Sequence, residues 1–131
     1  MKIIMIEGSS GVGKTTVLAV DFINWLTAQK AKIIVPIKKI YTKDREGVFY
    51  LHKKKKSIAL CSEGDVYRHI VHAIVRYSHC DILVIAGNTD RPEIKRLVKA
   101  IRANRNNCVI KKTIATNTDA KKVLNKIIAA I

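Results

Sequence analysis

The chain of 131 residues is long enough to bury one hydrophobic core, and its length predicts a single domain spanning residues 1–131. Hydrophobic residues make up 48% of the chain and Gly and Pro are few, which excludes a disordered or fibrous protein. Lys and Arg outnumber Asp and Glu by 25 to 10, and the resulting net charge of +15 favours anionic partners such as nucleotides and nucleic acid.

No apolar run approaches the roughly 18 residues that a membrane helix needs, and the N-terminal apolar run leads to Glu7 instead of a signal-cleavage site. We therefore expect a cytoplasmic protein with no membrane partner. The three cysteines lie far apart, with no CxxC pair and no His at zinc spacing, which indicates buried, reduced thiols. They are Cys61, Cys80 and Cys108.

The first third of the chain predicts a strand, a helix and a second strand. Residues 2–7, KIIMIE, form a continuous apolar run of the kind found in strands buried on both faces. Residues 14–29 predict a helix with one apolar face. That face consists of Leu18, Phe22, Trp25 and Leu26. Residues 32–42, KIIVPIKKIYT, predict a strand in which Pro36 marks an edge position or a bulge.

Residues 43–65 predict a small antiparallel meander that feeds a central strand. Turn residues, an alternating segment, the basic turn HKKKK and the apolar run 58–61 follow one another. From Asp65 to about Ser78 the pattern predicts a helix with two stripes. The apolar stripe is Val66, Ile70, Ala73, Ile74 and Tyr77, and the basic stripe is Arg68, His72 and Arg76.

The last third of the chain predicts two further strand–helix pairs. Residues 81–87, DILVIAG, form a buried strand, and Asp90 and Glu93 resemble a capping pair for the next helix. Residues 108–117 predict the last strand, which precedes an amphipathic helix. This order of elements predicts an α/β fold with right-handed crossovers. We expect a mostly parallel sheet of about five strands, helices on both faces, and the antiparallel meander.

Residues 8–15 match the pattern G-x-x-x-x-G-K-[ST] between the first strand and the first helix. Glycines let a backbone wrap its N–H groups around an anion, and a helix N-terminus adds further unpaired donors. The chain therefore resembles the P-loop NTPase superfamily, which implies its three-layer fold. The nucleotide-binding residues implied are Gly8, Ser9, Ser10, Gly11, Val12, Gly13, Lys14, Thr15 and Thr16.

By this resemblance, Lys14 reaches the β- and γ-phosphates, Thr15 places its hydroxyl on Mg²⁺, and Thr16 contacts the α-phosphate. A carboxylate must complete the metal site. Asp65 is the first choice and Glu63 the second, because both follow an apolar run predicted to be a strand. Alternatively, Asp65 is only the N-cap of the next helix. Glu7 is a further carboxylate that would orient a metal-bound water or brace the loop.

Three other polar features lie near the predicted site. Arg91 follows the fourth predicted strand, where a cation could neutralise the transferred phosphoryl group; the alternative is the more common one of a solvated arginine at a helix entry. Residues 115–119, with Asn117, would lie near the base. Their alternative role is a helix cap by Thr118 or Asp119. His69, His72 and His79 have no acid or Cys at metal spacing on their face and are expected to be surface or packing residues.

The first thirty residues resemble the opening of thymidylate kinases and related nucleotide kinases, with a strand ending in Glu-Gly and a Gly-Lys-Thr-Thr loop. The whole chain is similar to small ATP-binding proteins of prokaryotes and phages. However, it lacks the arginine-bearing lid and the Asp-Arg acceptor motif of monophosphate kinases. It also has Ser9 where partition-type ATPases carry an extra lysine.

Two functional hypotheses follow. The first is a Mg²⁺-dependent small kinase or NTPase in which Lys14, Asp65, Glu63 and Arg91 act in catalysis, with ATP as the default substrate because no NKxD guanine motif is present. The second is a non-catalytic module in which nucleotide occupancy controls the binding of nucleic acid to the basic surface, including Lys53–Lys56. The oligomeric state is left open.

Overall fold

Strand β1, which leads into the glycine-rich loop, lies inside a six-stranded mixed sheet. The computed structural model describes residues 1–40 and 43–131, and these contain six strands and four helices. The helix α1 covers residues 14–28 and contains a π-helical segment, Val17–Phe22. The other elements are β1 (Lys2–Gly8), β2 (Lys32–Ile40), β3 (Asp44–Leu51), β4 (Lys56–Cys61), α2 (Tyr67–Arg76), β5 (Ile82–Asn88), α3 (Pro92–Ala103), β6 (Cys108–Lys111) and α4 (Asn117–Ala130).

The strand order is β2-β3-β4-β5-β1-β6. Strands β4, β5, β1 and β6 are parallel to one another, whereas β2 pairs antiparallel with β3 and β3 pairs antiparallel with β4. The α/β class and the antiparallel meander are therefore confirmed. The sheet has six strands instead of about five, because residues 32–61 contribute three adjacent strands without an intervening helix.

Helices cover both faces of the sheet because the side chains of β1 alternate between two cores. Ile4 and Ile6 pack in the cluster that includes residues of α1 and α4. Ile3 and Met5 pack in the other cluster, with residues of α2 and α3. All four are nearly inaccessible to solvent, as expected for a strand with hydrophobic neighbours on either side. The position of the loop after β1 is thus fixed from both faces.

Pro36 lies in β2, which forms one edge of the sheet. Register shifts occur between Ile33 and Val35 and between Val35 and Lys38. Both expectations for Pro36, an edge position and an irregularity, are therefore confirmed, since a proline cannot donate to a regular ladder. Tyr41 and Thr42, which ended the predicted strand, lie outside the described residues.

The predicted capping pair of α3 is wrong. The N-cap residue is Arg91, which makes no side-chain cap hydrogen bond, and Pro92 begins the helix. Proline suits this position because its fixed φ matches the helix and its missing N–H would have no partner there. Asp90 instead accepts a hydrogen bond from Ser10, so this carboxylate serves the loop and not the helix.

Every helix within residues 1–40 and 43–131 is too short or too polar to cross a bilayer.

Candidate functional site

The carboxyl ends of the four parallel strands lie at one edge of the sheet, and the glycine-rich loop emerges there from β1. Gly11 and Gly13 have φ values of 78° and 90°, in the left-handed region that residues with a Cβ rarely adopt. Gly13 is also the N-cap of α1. The first-turn N–H groups of a helix have no intrahelical acceptor, so this loop and helix provide donors suited to an anion.

The Lys14 side chain folds back over the loop and is only 7% exposed. Its Nζ donates hydrogen bonds to the carbonyl oxygens of Gly8 at 2.9 Å and Ser9 at 2.6 Å. Burial lowers the pKa of this amine, although the negative charges of Asp65, Asp90 and Glu7 oppose that effect. Lys14 is therefore a cation held among weak neutral acceptors, where phosphate oxygens would be stronger partners.

A hydroxyl and a carboxylate meet beside the start of α1. Thr15 Oγ1 lies 3.4 Å from Asp44 Oδ1, and Ser62 Oγ donates to the same carboxylate oxygen at 3.2 Å. Burial raises the pKa of Asp44, while the bond from Ser62 lowers it. Asp44 was not among the predicted site residues. It lies here because β3 runs antiparallel to β4, so the first residue of β3 is adjacent to the segment after β4.

Asp65, the first choice for the second acid, lies exposed at the same edge of the sheet. Its Oδ1 accepts a hydrogen bond from Asn88 Nδ2 at 3.0 Å. Its negative charge works to raise the pKa of both Lys14 and Asp44. The alternative N-cap role is wrong, because Val66 is the N-cap of α2. Asn88, the last residue of β5, therefore holds the Asp65 side chain near the loop.

Glu63, the second choice, is only 4% exposed and has other partners. Its Oε1 accepts from the backbone N–H of Asp65 at 2.9 Å, and its Oε2 lies 3.0 Å from His69 Nδ1. His69 therefore has an acidic neighbour that the sequence spacing did not indicate, since residues six apart meet across the start of α2. With both oxygens engaged, Glu63 is better suited to hold the 63–65 turn than to bind a metal.

Among residues 1–40 and 43–131, no three His, Cys, Asp or Glu side chains converge as a metal-binding group. Mg²⁺ does not require such a cage, because it commonly uses one or two carboxylates together with water and phosphate oxygens. Thr15, Asp44 and Asp65 offer oxygen donors of this type. This donor set fits a magnesium ion that is held jointly with a nucleotide.

The loop after β6 lies beside Gly13. A small cavity of about 120 Å³ is lined by Gly13, Thr16, Lys112 and Asn117, among others. Lys112 is 1% exposed, and its Nζ donates to the carbonyl oxygen of Ile114 and to Asp119 Oδ2. This ion pair between a buried lysine and a partly exposed aspartate fixes the loop and was not predicted from sequence.

The helix cap in this loop also differs from expectation. Thr116 is the N-cap of α4, and its hydroxyl accepts a hydrogen bond from the Asp119 backbone N–H at 3.2 Å. The alternative role of residues 115–119, a helix cap by the side chain of Thr118 or Asp119, is therefore wrong. Asp119 instead pairs with Lys112, whose hydrogen bond lowers the pKa of that carboxyl. Asn117 is the first residue of α4 and not its N-cap, and it lines the small cavity.

Arg91 lies next to the loop but makes no ion pair within residues 1–40 and 43–131. It lines an open cavity of about 360 Å³ together with Ser10, Asn88 and Asp90. Asp90 Oδ2 accepts from the Ser10 N–H at 2.9 Å, and that bond lowers the pKa of the Asp90 carboxyl. Asp90 therefore holds the loop, and the next residue in the chain, Arg91, is an exposed cation beside it.

Glu7 faces away from α1. It belongs to the side of β1 that Ile3 and Met5 occupy, and its Oε1 lies 4.0 Å from Arg102 Nη2 of α3. It lines a larger cavity on that side of the loop. The roles expected of Glu7, orienting a metal-bound water or bracing the loop, stay predictions.

The basic turn at Lys53–Lys56 joins β3 to β4. Strand β4 is parallel to β5 and β5 is parallel to β1, so this turn lies at the opposite edge of the sheet from the glycine-rich loop. Lys53, Lys54 and Lys55 are exposed. Any control of this surface by a nucleotide at the loop would have to act along the length of β4.

No protein-family model, curated protein or solved structure matches the chain.

Proposed function

We propose that this chain is a Mg²⁺-dependent nucleoside triphosphatase or small kinase of the P-loop type, with ATP as its default substrate. The observation that supports this most is the conformation of residues 8–15. Two left-handed glycines lead into the N-terminus of α1, and a buried ammonium group folds over the same loop. A turn that only connected a strand to a helix would need neither two left-handed glycines nor the buried cation.

In this proposal, the loop N–H groups and Lys14 bind the phosphates and neutralise charge that develops on the transferred group. Lys14 would exchange its carbonyl acceptors on Gly8 and Ser9 for phosphate oxygens. Because those carbonyls are neutral, the exchange to charged acceptors is favourable. Thr16 and Asn117, on either side of the small cavity near Gly13, would contact the α-phosphate and the base.

Magnesium, when bound, would supply positive charge that stabilises the phosphates during transfer. Thr15 and Asp44 would hold it from the α1 side, and Asp65 from the end of β4. In this proposal Asp65, which is exposed, would also accept a proton from a water molecule or hydroxyl that attacks the terminal phosphorus. The new P–O bond forms as the bond to the diphosphate oxygen breaks, and that oxygen leaves with the electron pair.

The second candidate function, a nucleic-acid-binding module controlled by nucleotide, is supported by the net charge of +15. The basic turn at Lys53–Lys56, however, lies at the edge of the sheet opposite the loop. The clustering of Thr15, Asp44 and Asp65 around the loop favours the enzyme, because a binding module does not need several carboxylates beside bound phosphates.

The metal assignment is tested with Thr15→Val, which removes the hydroxyl and keeps the β-branched shape. Titration of Mg-ATP should show at least about tenfold weaker binding, since a lost bond to a charged group costs about 1.5–3 kcal/mol. The matched control is Thr27→Val on the same helix, whose hydroxyl bonds only to the Ile23 carbonyl. Equal affinities of the two variants would refute the role of Thr15.

The catalytic assignment is tested with Asp65→Asn, measured by phosphate release and by transfer to nucleoside and nucleotide acceptors. Turnover should fall about 100-fold or more, the usual contribution of a general base, and by more than the affinity for Mg-ATP, which Asp65 also supports through the metal. Asp81→Asn, at the opposite edge of the sheet, is the control. Full turnover in Asp65→Asn would shift the role to Asp44 or Glu63.

A further inference from the structure

A cavity of about 600 Å³ opens between the loop and α3, on the side of the sheet away from α1. Gly8, Ser9 and Val12 form its wall on the loop side, and Val98 contributes from α3. This volume lies within the range of about 300–1,000 Å³ that is typical of small-molecule sites. Lys14 and Thr15 do not line it, so the cavity adjoins the proposed triphosphate site through Gly8, Ser9 and Val12 without including its ammonium group or its metal-binding hydroxyl.

Besides Lys112, which pairs with Asp119, four basic residues line this cavity. Lys95, Lys99 and Arg102 recur at spacings of four and three residues along one side of α3, and Lys111 faces them from the end of β6. All four are exposed. In the part of the chain that the structure describes, no carboxylate oxygen lies within 4.0 Å of Lys95, Lys99 or Lys111. Their shared field favours an anion of more than one charge.

The cavity also contains groups suited to hydroxyls. Glu7 is 8% exposed, and the 4.0 Å between its Oε1 and Arg102 Nη2 is too long for a hydrogen bond. A buried carboxylate in this position can accept hydrogen bonds from ligand hydroxyls, and Thr113 adds a hydroxyl of its own. Asp90, the other acid at the cavity, is engaged by the Ser10 N–H.

We propose that this cavity is a second anion site that binds a small phosphate monoester carrying a sugar, with its phosphate at Lys95, Lys99 and Lys111 and its hydroxyls at Glu7. Lysine ammonium groups from two facing elements can contact different oxygens of one phosphate. The site does not depend on the proposed triphosphate function, because it shares the loop backbone and none of the loop's charged side chains.

The test is a calorimetric titration of the full chain with ribose 5-phosphate and, separately, with AMP. The variant Lys95→Gln/Lys99→Gln removes two cations from the cavity, and the control Arg96→Gln/Lys122→Gln removes the same charge elsewhere. Arg96 lies on α3 but lines a different surface, beside Tyr67 and Leu97. We expect at least tenfold weaker binding of ribose 5-phosphate to the cavity variant and less than a twofold change for the control.

Lys14→Met separates this inference from the proposed function. Binding of ribose 5-phosphate should survive in Lys14→Met even if nucleotide triphosphate binding is lost. Tighter binding of AMP than of ribose 5-phosphate, with the same sensitivity to Lys95 and Lys99, would identify a nucleotide as the ligand. The proposal is overturned if neither compound binds, if Lys14→Met removes the binding that the cavity variant keeps, or if only a single-stranded oligonucleotide binds.

Discussion

Replacing Lys14 by Met should weaken nucleotide binding strongly and leave the stability of the fold nearly unchanged. Met has a similar length and no charge, so it can occupy the same buried path over the loop. In the free protein, Lys14 loses its solvation and gains two hydrogen bonds to carbonyl oxygens. Because its pKa is lowered by burial, the surroundings disfavour the charged amine, and removing the charge relieves that cost.

The size of each effect follows from these contacts. Two charge-assisted hydrogen bonds contribute about 1.5–3 kcal/mol each, and the desolvation of a buried ammonium costs several kcal/mol, so the net change in unfolding free energy should stay below about 1 kcal/mol. For a domain of this size, that corresponds to a shift in Tm of less than about 4 °C. In the complex, two lost bonds to phosphate weaken binding by about 100-fold or more.

Thermal unfolding followed by circular dichroism measures the first quantity, and calorimetric titration with Mg-ATP measures the second. Lys122→Met, an exposed lysine of α4, is the control for the change in net charge. Unchanged affinity in Lys14→Met would refute the assignment of Lys14 to the phosphates. A loss of several kcal/mol of stability with proportionate loss of binding would instead show that Lys14 is structural.

Three further predictions concern the surroundings of the site. Gly64→Ala should destabilise the fold by about 2–3 kcal/mol in chemical denaturation, because the added Cβ would lie 2.6 Å from the backbone carbonyl of Ala86. A loss of stability below about 0.5 kcal/mol would contradict this packing. Arg76→Met should cost about 2 kcal/mol in the same assay, since it leaves the buried Glu46 carboxylate without the Nη1 donor 2.8 Å from both its oxygens. An equal loss when Glu46 is already Gln would contradict that coupling. The pKa of Asp44 is raised in the fold, so its ionised form is disfavoured there. Asp44→Asn should therefore raise Tm at pH 7. This gain in Tm should shrink as the pH falls through the raised pKa of Asp44 toward 3.8, because the carboxyl of the wild-type protein then becomes protonated. A gain that is constant with pH would show that titration of Asp44 is not its cause.

Local sequence patterns predict the loop and most of the elements. The spacing of Gly8, Gly13, Lys14 and Thr15 is a property of adjacent residues, and strand and helix periodicities on either side fix its context. The predicted helix at residues 14–29 and the observed helix at residues 14–28 nearly coincide for this reason.

The second half of the site depends on pairing between distant residues. Asp44 reaches Thr15 only because β3 pairs antiparallel with β4, and Asn88 reaches Asp65 only because β4 and β5 are parallel neighbours. The position of Asp44 could have been predicted from the hairpin, since a short turn at residues 52–55 places the first residue of β3 opposite the end of β4. No local pattern indicated that Asp90 would bond to the loop instead of capping α3.

The most direct measurement is a calorimetric titration of the wild-type chain with Mg-ATP, and with Mg-GTP for comparison. If the amides of residues 8–15 and the Lys14 ammonium form a triphosphate site, a single saturable site per chain should appear. Its affinity should fall by about 100-fold or more in Lys14→Met. No heat with any magnesium nucleotide, from protein whose circular dichroism shows a folded α/β chain, would contradict the proposed function.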